Sequence, residues 1–219
     1  MSGSGGSIRA LVLCDDYWHP ARTPRAGLAP LGARGFALDW LEHAGEWSAG
    51  RMAAYPLVVL TKANNVSSAD QTPWVTDAVQ VAFRDYVRGG GGLLAIHSGA
   101  VGYRDAPALR SVLGGVFAWH PPQCAVTVEP RAGHPLAAGV APFTLVDEHY
   151  WVDLDDAQAD VFLTTTSAHG AQPGGWARRE GAGRVCVLTP GHNLESWLHP
   201  SYQALIGDAL RWCCGAPRS

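Results

Sequence analysis

Paired cysteines, clustered positive charge and long apolar runs are all missing from this sequence of 219 residues. The five cysteines, Cys14, Cys124, Cys186, Cys213 and Cys214, are odd in number and include no C-x-x-C spacing, which argues against a disulfide framework or a thiolate metal knuckle. They read as reduced packing residues, with Cys14 set apart only because it closes a strand. Charged residues make up 16% of the chain and the formal net charge is −3, so no basic field draws nucleic acid or an anionic membrane, and neither is expected as a partner. No segment approaches the roughly 20 apolar residues of a membrane helix. Residues 1–7, Met-Ser-Gly-Ser-Gly-Gly-Ser, read as a flexible tail without the basic flank or apolar stretch of a signal peptide, which points to a cytoplasmic protein. No internal repeat or linker-like stretch divides the remainder, and residues 8–215 are expected to make one domain. Also lacking are H-x-H and H-x-x-x-H pairs, so any metal site must be assembled by the fold from distant positions.

What is present is organised around residues 89–100. Four glycines, Gly89 to Gly92, precede the apolar run Leu93-Leu94-Ala95-Ile96, which ends in His97-Ser98-Gly99-Ala100. The run reads as a strand buried on both faces of a parallel sheet. Small Ala95 and Gly99 lie two residues either side of His97, the spacing of a sharp elbow with His97 at its apex. Centring the elbow on Ser98 would place bulky Ile96 where a small residue is needed. Ile8 to Cys14 and Leu57 to Thr61 read as further buried strands, joined by Phe143 to Val146, Asp160 to Thr166, Trp176 to Arg178 and Gly181 to Thr189, with Ala125 to Glu129 as an edge strand. Helical spacing is expected for Phe36 to Glu42, for Trp74 to Arg88 behind a Thr72 cap, for Ala106 to Leu113 and for Tyr202 to Cys214, with a small strand near Gly45 to Trp47. This alternation predicts a doubly wound α/β fold with a mostly parallel sheet covered on both faces.

In such a sheet the loops leaving the strands converge on one rim. Five polar residues directly follow strand-like or turn segments: His19, His97, His120, Glu148 and His192. Three imidazoles and a carboxylate can hold a divalent ion such as zinc with a position left open, and His120, Glu148 and His192 are the candidate ligands. Without a metal, the same groups can exchange protons with a polyol. Each also has a structural alternative. His97 could cap the elbow, His120 could serve the turn at Pro121-Pro122, and His192 could be a loop residue. A buried carboxylate without a partner is costly enough to favour function for Glu148. Tyr17, Lys62 and Asn64 stand in loops after two strands and are candidate substrate contacts. Trp18, Trp119, Tyr150, Trp151 and Trp197 could stack on sugar faces, although most of the nine tryptophans must serve packing.

Several motifs occur together: Tyr-x-His-Pro after the first strand, Gly-Gly-Gly-Leu-Leu-Ala-Ile-His-Ser-Gly-Ala, Gly-Gly-Val-Phe-Ala-Trp-His-Pro, Asp147-Glu148-His149-Tyr150, Gly-Ala-Gly-Arg-Val, Thr-Pro-Gly-His-Asn and a closing Ala-Leu-Arg-Trp. As a set and in this order they resemble the ThuA-like (trehalose utilisation) family over nearly the whole chain. The resemblance implies a flavodoxin-like, class I glutamine amidotransferase-like three-layer sandwich. It also implies a part in the metabolism of trehalose, another disaccharide or a keto-sugar, with a small carbohydrate as partner. In an amidotransferase the elbow carries a nucleophilic cysteine; His97 stands there in this chain, so no glutaminase activity is expected. With the motifs and the cluster taken together, His97 and Glu148 are the catalytic candidates, Glu148 as general acid or base. His19, Tyr17, Lys62, Asn64, His120 and His192 are candidates to bind substrate. Two departures stand out, because family members commonly read Asp-Glu-Leu-Tyr at residues 147–150 and Gly-Lys-Gly-Arg-Val around Ala182. The first adds a histidine near the expected site and the second alters a turn. A non-catalytic carbohydrate- or partner-binding module and a metal-dependent hydrolase are open alternatives, and so is assembly into a homo-oligomer.

Overall fold

The computed structural model describes residues 7–216 apart from 156 and 158, so nearly all of the expected N-terminal tail lies outside the described residues. The first half of the chain runs β1 (Ile8–Leu13), α1 (Arg22–Leu28), β2 (Phe36–Leu41), α2 (Ala49–Ala53), β3 (Leu57–Leu60), α3 (Asp77–Arg88), β4 (Gly92–Ile96) and α4 (Pro107–Leu113). It continues through β5 (Gly115–Trp119), β6 (Cys124–Pro130), β7 (Phe143–Asp147), β8 (Trp151–Leu154), β9 (Asp160–Ser167), β10 (Gly170–Glu180) and β11 (Gly183–Leu188). Helices α5 (Leu194–Leu198) and α6 (Pro200–Cys213) complete it.

Nine strands form one sheet in the order β2-β1-β3-β4-β11-β10-β9-β6-β7. The five from β2 to β11 are mutually parallel, in the 2-1-3-4-5 order of flavodoxin-like folds, and the remaining four extend the sheet antiparallel. β5 and β8 pair in a separate antiparallel ribbon. Side chains of β1 separate by parity, as strand geometry requires: Ala10 and Val12 join the core under α1, α5 and α6, while Leu11 and Leu13 join the core under α2, α3 and α4. The result is an α/β/α sandwich with the parallel strands buried on both faces, and that burial is why they read as unbroken apolar runs.

Four expectations change. Phe36 to Leu41 is a strand, not a helix: it pairs with β1 from Ile8↔Phe36 to Leu13↔Leu41, with Phe36, Leu38 and Trp40 toward one core and Leu41 toward the other. Six residues are too few for apolar spacing to separate the two periods. Ala44–Glu46 is a 3₁₀ turn capped by the His43 ring, not a strand. α3 starts behind Thr76, whose hydroxyl accepts from the Val79 amide, while the amides of Trp74 and Val75 are taken by Asn64. β6 lies between β9 and β7, so β7 is the edge.

This topology determines where the site lies. Each antiparallel step reverses direction, so β7, four steps from β11, points the same way as β11 and the parallel strands. The C-terminal ends of β1, β3, β4, β11 and β7 therefore open on one rim. At the end of β4 the chain turns through His97 with φ 51°, and a Cβ on Gly99 would stand 2.0 Å from the Leu60 carbonyl oxygen. Only glycine lets the elbow pack against β3. Among the described residues, no helix is long and apolar enough to cross a membrane.

Candidate functional site

Each strand end delivers a polar side chain, and loop hydrogen bonds fix its direction. After β1, Asp15 takes φ 72° and Asp16 is fully buried. The Asp16 carboxylate accepts from the amides of Trp18 (2.9 Å), His19 (3.0 Å) and Ala63 (2.9 Å) and from His19 Nδ1 (2.9 Å). Burial works to raise the Asp16 pKa, but His19 and the amides outweigh it and hold the carboxyl below the usual range. His19 Nδ1 thus donates to a carboxylate, leaving Nε2 as an acceptor that is buried with no partner among the described residues. Burial lowers the His19 pKa despite Asp16, favouring the neutral ring.

At the elbow, His97 Nδ1 donates to the Thr189 carbonyl (2.8 Å), and its Nε2 turns inward, 2.9 Å from the Tyr150 hydroxyl and 3.4 Å from Glu148 Oε2. The loop after β11 is held by Asp147, whose carboxylate accepts from the amides of Gly191 (2.9 Å), His192 (3.0 Å) and Glu148 (2.8 Å). Trp197 Nε1 and the Tyr202 hydroxyl donate to the carbonyls of Gly191 and Pro190. One buried acid therefore aligns both Glu148 and His192. His192 Nδ1 lies 3.1 Å from Glu148 Oε1 but is not oriented to hydrogen bond with it. Burial works to raise the Glu148 pKa, yet the imidazoles of His192 and, when its ring is protonated, His97 hold it well below the carboxylate range. Glu148 in turn raises His192 against the opposing effect of burial.

The ligand atoms of His19, His97, Glu148 and His192 all lie within 4.8 Å of one another. In a tetrahedral zinc site with bonds near 2.0–2.1 Å, ligand atoms stand about 3.3 Å apart, close to the 3.1 and 3.4 Å contacts of Glu148 with His192 and His97. The His19 ring meets those of His97 and His192 edge-on, with centroids 4.8 and 5.1 Å apart. Two of the three histidines have their second nitrogen tied by a carboxylate or a carbonyl, the outer support typical of metal-ligating imidazoles. An orphaned inward nitrogen and a misaligned close pair fit a divalent ion better than they fit a closed hydrogen-bond network. The group borders a cleft of about 290 Å³ walled by Trp18, Phe117 and Tyr150, and among the described residues its lining includes no lysine or arginine. A larger concavity of about 710 Å³ near Arg131 is a different kind of place, since Arg131, His134 and Asp160 there satisfy one another.

The structure gathers His19, His97, Glu148 and His192, with His120 at their margin. His120 differs from its expected place among the ligands: its Nδ1 donates to the Pro121 carbonyl (2.8 Å) and its Nε2 reaches Glu148 Oε1 only at 3.5 Å, on the cleft side of the group. Lys62 does not line the cleft. It is the chain's one lysine, fully buried, and its ammonium donates to the carbonyls of Cys14, Asp15 and Glu42. Nor does Asn64, whose amide oxygen caps Trp74 and Val75 and whose nitrogen donates to Gly102. Tyr17 is 43% exposed, packs edge-on against Trp18 and does not line the cleft. His149 points away, between Ser167 and the Thr165 carbonyl. Cys14 is buried and its thiol is pushed up to about 12 by burial, so it stays protonated. Asp16, Asp147 and Thr189 were not singled out from sequence. Their one signal is position, each standing next to or three residues from a rim histidine or glutamate.

A ThuA family profile, described as trehalose utilisation, matches residues 9–213. No curated protein matches the chain at a significant level. Among solved structures, a ThuA-like protein from Bacteroides uniformis ATCC 8492 is 21% identical, with 96% of this chain and 93% of that chain covered and a TM-score of 0.73. One from Parabacteroides merdae ATCC 43184 is 16% identical, with 97% and 92% covered and a TM-score of 0.76. A β-galactosidase from Rahnella sp. R3 is 17% identical, and 97% of this chain aligns with 32% of that one at a TM-score of 0.68. These identities speak for a shared fold; the profile, spanning almost every described residue, identifies the chain as a member of the ThuA family.

Proposed function

We propose that the chain is a divalent-metal-dependent enzyme acting on an uncharged carbohydrate, a disaccharide or its keto derivative, at the rim cleft. The observation that carries this reading is the inward convergence of His19, His97, Glu148 and His192, with His19 Nε2 buried and unpartnered. When bound, an ion of zinc type supplies Lewis acidity toward a carbonyl or hydroxyl oxygen. Glu148 serves as an anionic ligand rather than as a general acid, because its neighbours keep it ionised. His120, at the cleft side of Glu148, is placed to carry protons. Trp18, Phe117 and Tyr150 offer apolar surface to a sugar face, and the lack of lysine and arginine among the described residues of the lining disfavours a phosphorylated substrate. The family's description as trehalose utilisation supports a carbohydrate.

The test is a thermal-shift screen of disaccharides and keto-sugars with and without Zn²⁺. A cognate sugar at about a hundred times its Kd should stabilise the zinc-loaded protein by roughly 2.7 kcal/mol, a shift of several degrees. The shift should vanish without zinc and in Glu148→Gln. Sugar stabilisation that is equal in chelated protein and in Glu148→Gln would contradict the proposal.

A further inference from the structure

Tyr150 is buried, with 2% of its surface exposed, and its ring forms part of the cleft wall. The ring stacks on His97 with centroids 4.2 Å apart, and its hydroxyl lies 2.9 Å from His97 Nε2. With the His97 ring neutral, its proton inventory leaves little freedom. Nδ1 faces a carbonyl oxygen at 2.8 Å, which only accepts, so Nδ1 carries the hydrogen. In the neutral ring Nε2 is then a lone pair, and the phenol donates to it. Glu148 Oε2, 3.4 Å from the same nitrogen, is another acceptor and cannot supply that hydrogen. The lone pair has room for one partner, a phenolic proton or a cation.

We propose that the Tyr150 hydroxyl is a latch on His97: it holds the imidazole lone pair while no ion is bound, and it is released into the cleft when an ion takes that lone pair. This rests on the metal reading above. The phenolic oxygen stands close to where an ion on that lone pair would lie, so the side chain must swing as the ion enters, turning the hydroxyl toward the cleft and the oxygens of a substrate. The release gives the loaded site a donor that the ion-free site does not present. It also predicts that Tyr150 opposes ion binding, whereas a supporting residue would assist it.

The experiment is titration of chelator-treated protein with Co²⁺, comparing wild type with Tyr150→Phe. Phenylalanine keeps the stacked ring and removes only the hydroxyl. The variant should bind Co²⁺ about 2- to 10-fold more tightly, the equivalent of one neutral hydrogen bond no longer broken on binding. In wild type, Co²⁺ should also produce a tyrosine ultraviolet difference signal that the variant lacks. Near-ultraviolet circular dichroism establishes that the variant is folded; should it not fold, the presence or absence of the tyrosine difference signal in Co²⁺-loaded wild type carries the test. A folded variant with unchanged or weaker Co²⁺ affinity, or a wild type that binds Co²⁺ without a tyrosine signal, overturns the latch and leaves the metal reading standing. A wild type that takes up no Co²⁺ overturns both.

Discussion

Asp16 and Asp147 do at the residue scale what the histidines cannot do for themselves. Asp16 fixes the His19 tautomer and Asp147 fixes the loop that carries His192. Asp16→Asn should therefore weaken Zn²⁺ or Co²⁺ binding by about 10- to 100-fold, the usual cost of losing an outer-shell carboxylate, as read by titration against a chelator. Asp147→Ala leaves three amides without an acceptor and should lower stability by about 2–3 kcal/mol in urea unfolding. The histidines and Glu148 were legible because each follows a strand-like run. The two aspartates were not, because nothing in a single sequence distinguishes an acid that caps a loop from one that faces water. The same limit misplaced Lys62 and Asn64: both sit in a rim loop, but carbonyls and amides of the loop itself claim their polar atoms.

Elements place those residues through two tight features. The elbow after β4 works because Gly99 adds no side chain where the β3 carbonyl stands. Gly99→Ala puts a Cβ 2.0 Å from the Leu60 oxygen and should destabilise the fold by about 3 kcal/mol or more, seen as a fall in the urea midpoint. The β1 and β3 loops are tied by the buried Lys62 ammonium, and burial lowers its pKa against the pull of Asp16 and Asp15. Lys62→Met strands the carbonyls and leaves Asp16 without its nearby cation, at a cost of about 3–5 kcal/mol. Strands buried on both faces were legible as apolar runs, and so was the elbow from the spacing of Ala95 and Gly99. β2 was not, because an edge strand of six residues that packs on both cores carries no decisive period. β8, α2 and α5, at four or five residues each, are too short to show any period at all.

For the whole molecule, the parallel half of the sheet with helices on both faces followed from composition and pattern. The antiparallel extension that returns β7 to the same rim did not, since strand order depends on pairings that no local signal encodes. That return is what brings Glu148 to the histidines. It also makes the ion-free site acid-sensitive. Glu148 and Asp16 have folded pKa values below their unfolded ones, so the stability they contribute is present above about pH 4.3. It is lost as pH falls through the folded values. His192 is raised, so its contribution is complete below about pH 6.5 and is lost as pH rises through its folded value. Ion binding has the opposite dependence on His192, which must give up its proton first. Zn²⁺ affinity should therefore fall as pH drops from 8 to 6, with protons released to the buffer on binding.

Whether the four converging groups hold an ion is measured directly by metal analysis of purified protein after zinc loading and dialysis. One equivalent of zinc per chain is expected for the wild type, falling to a small fraction in His19→Ala and Glu148→Gln. A wild type that keeps no zinc, or variants that keep as much as the wild type, would contradict it.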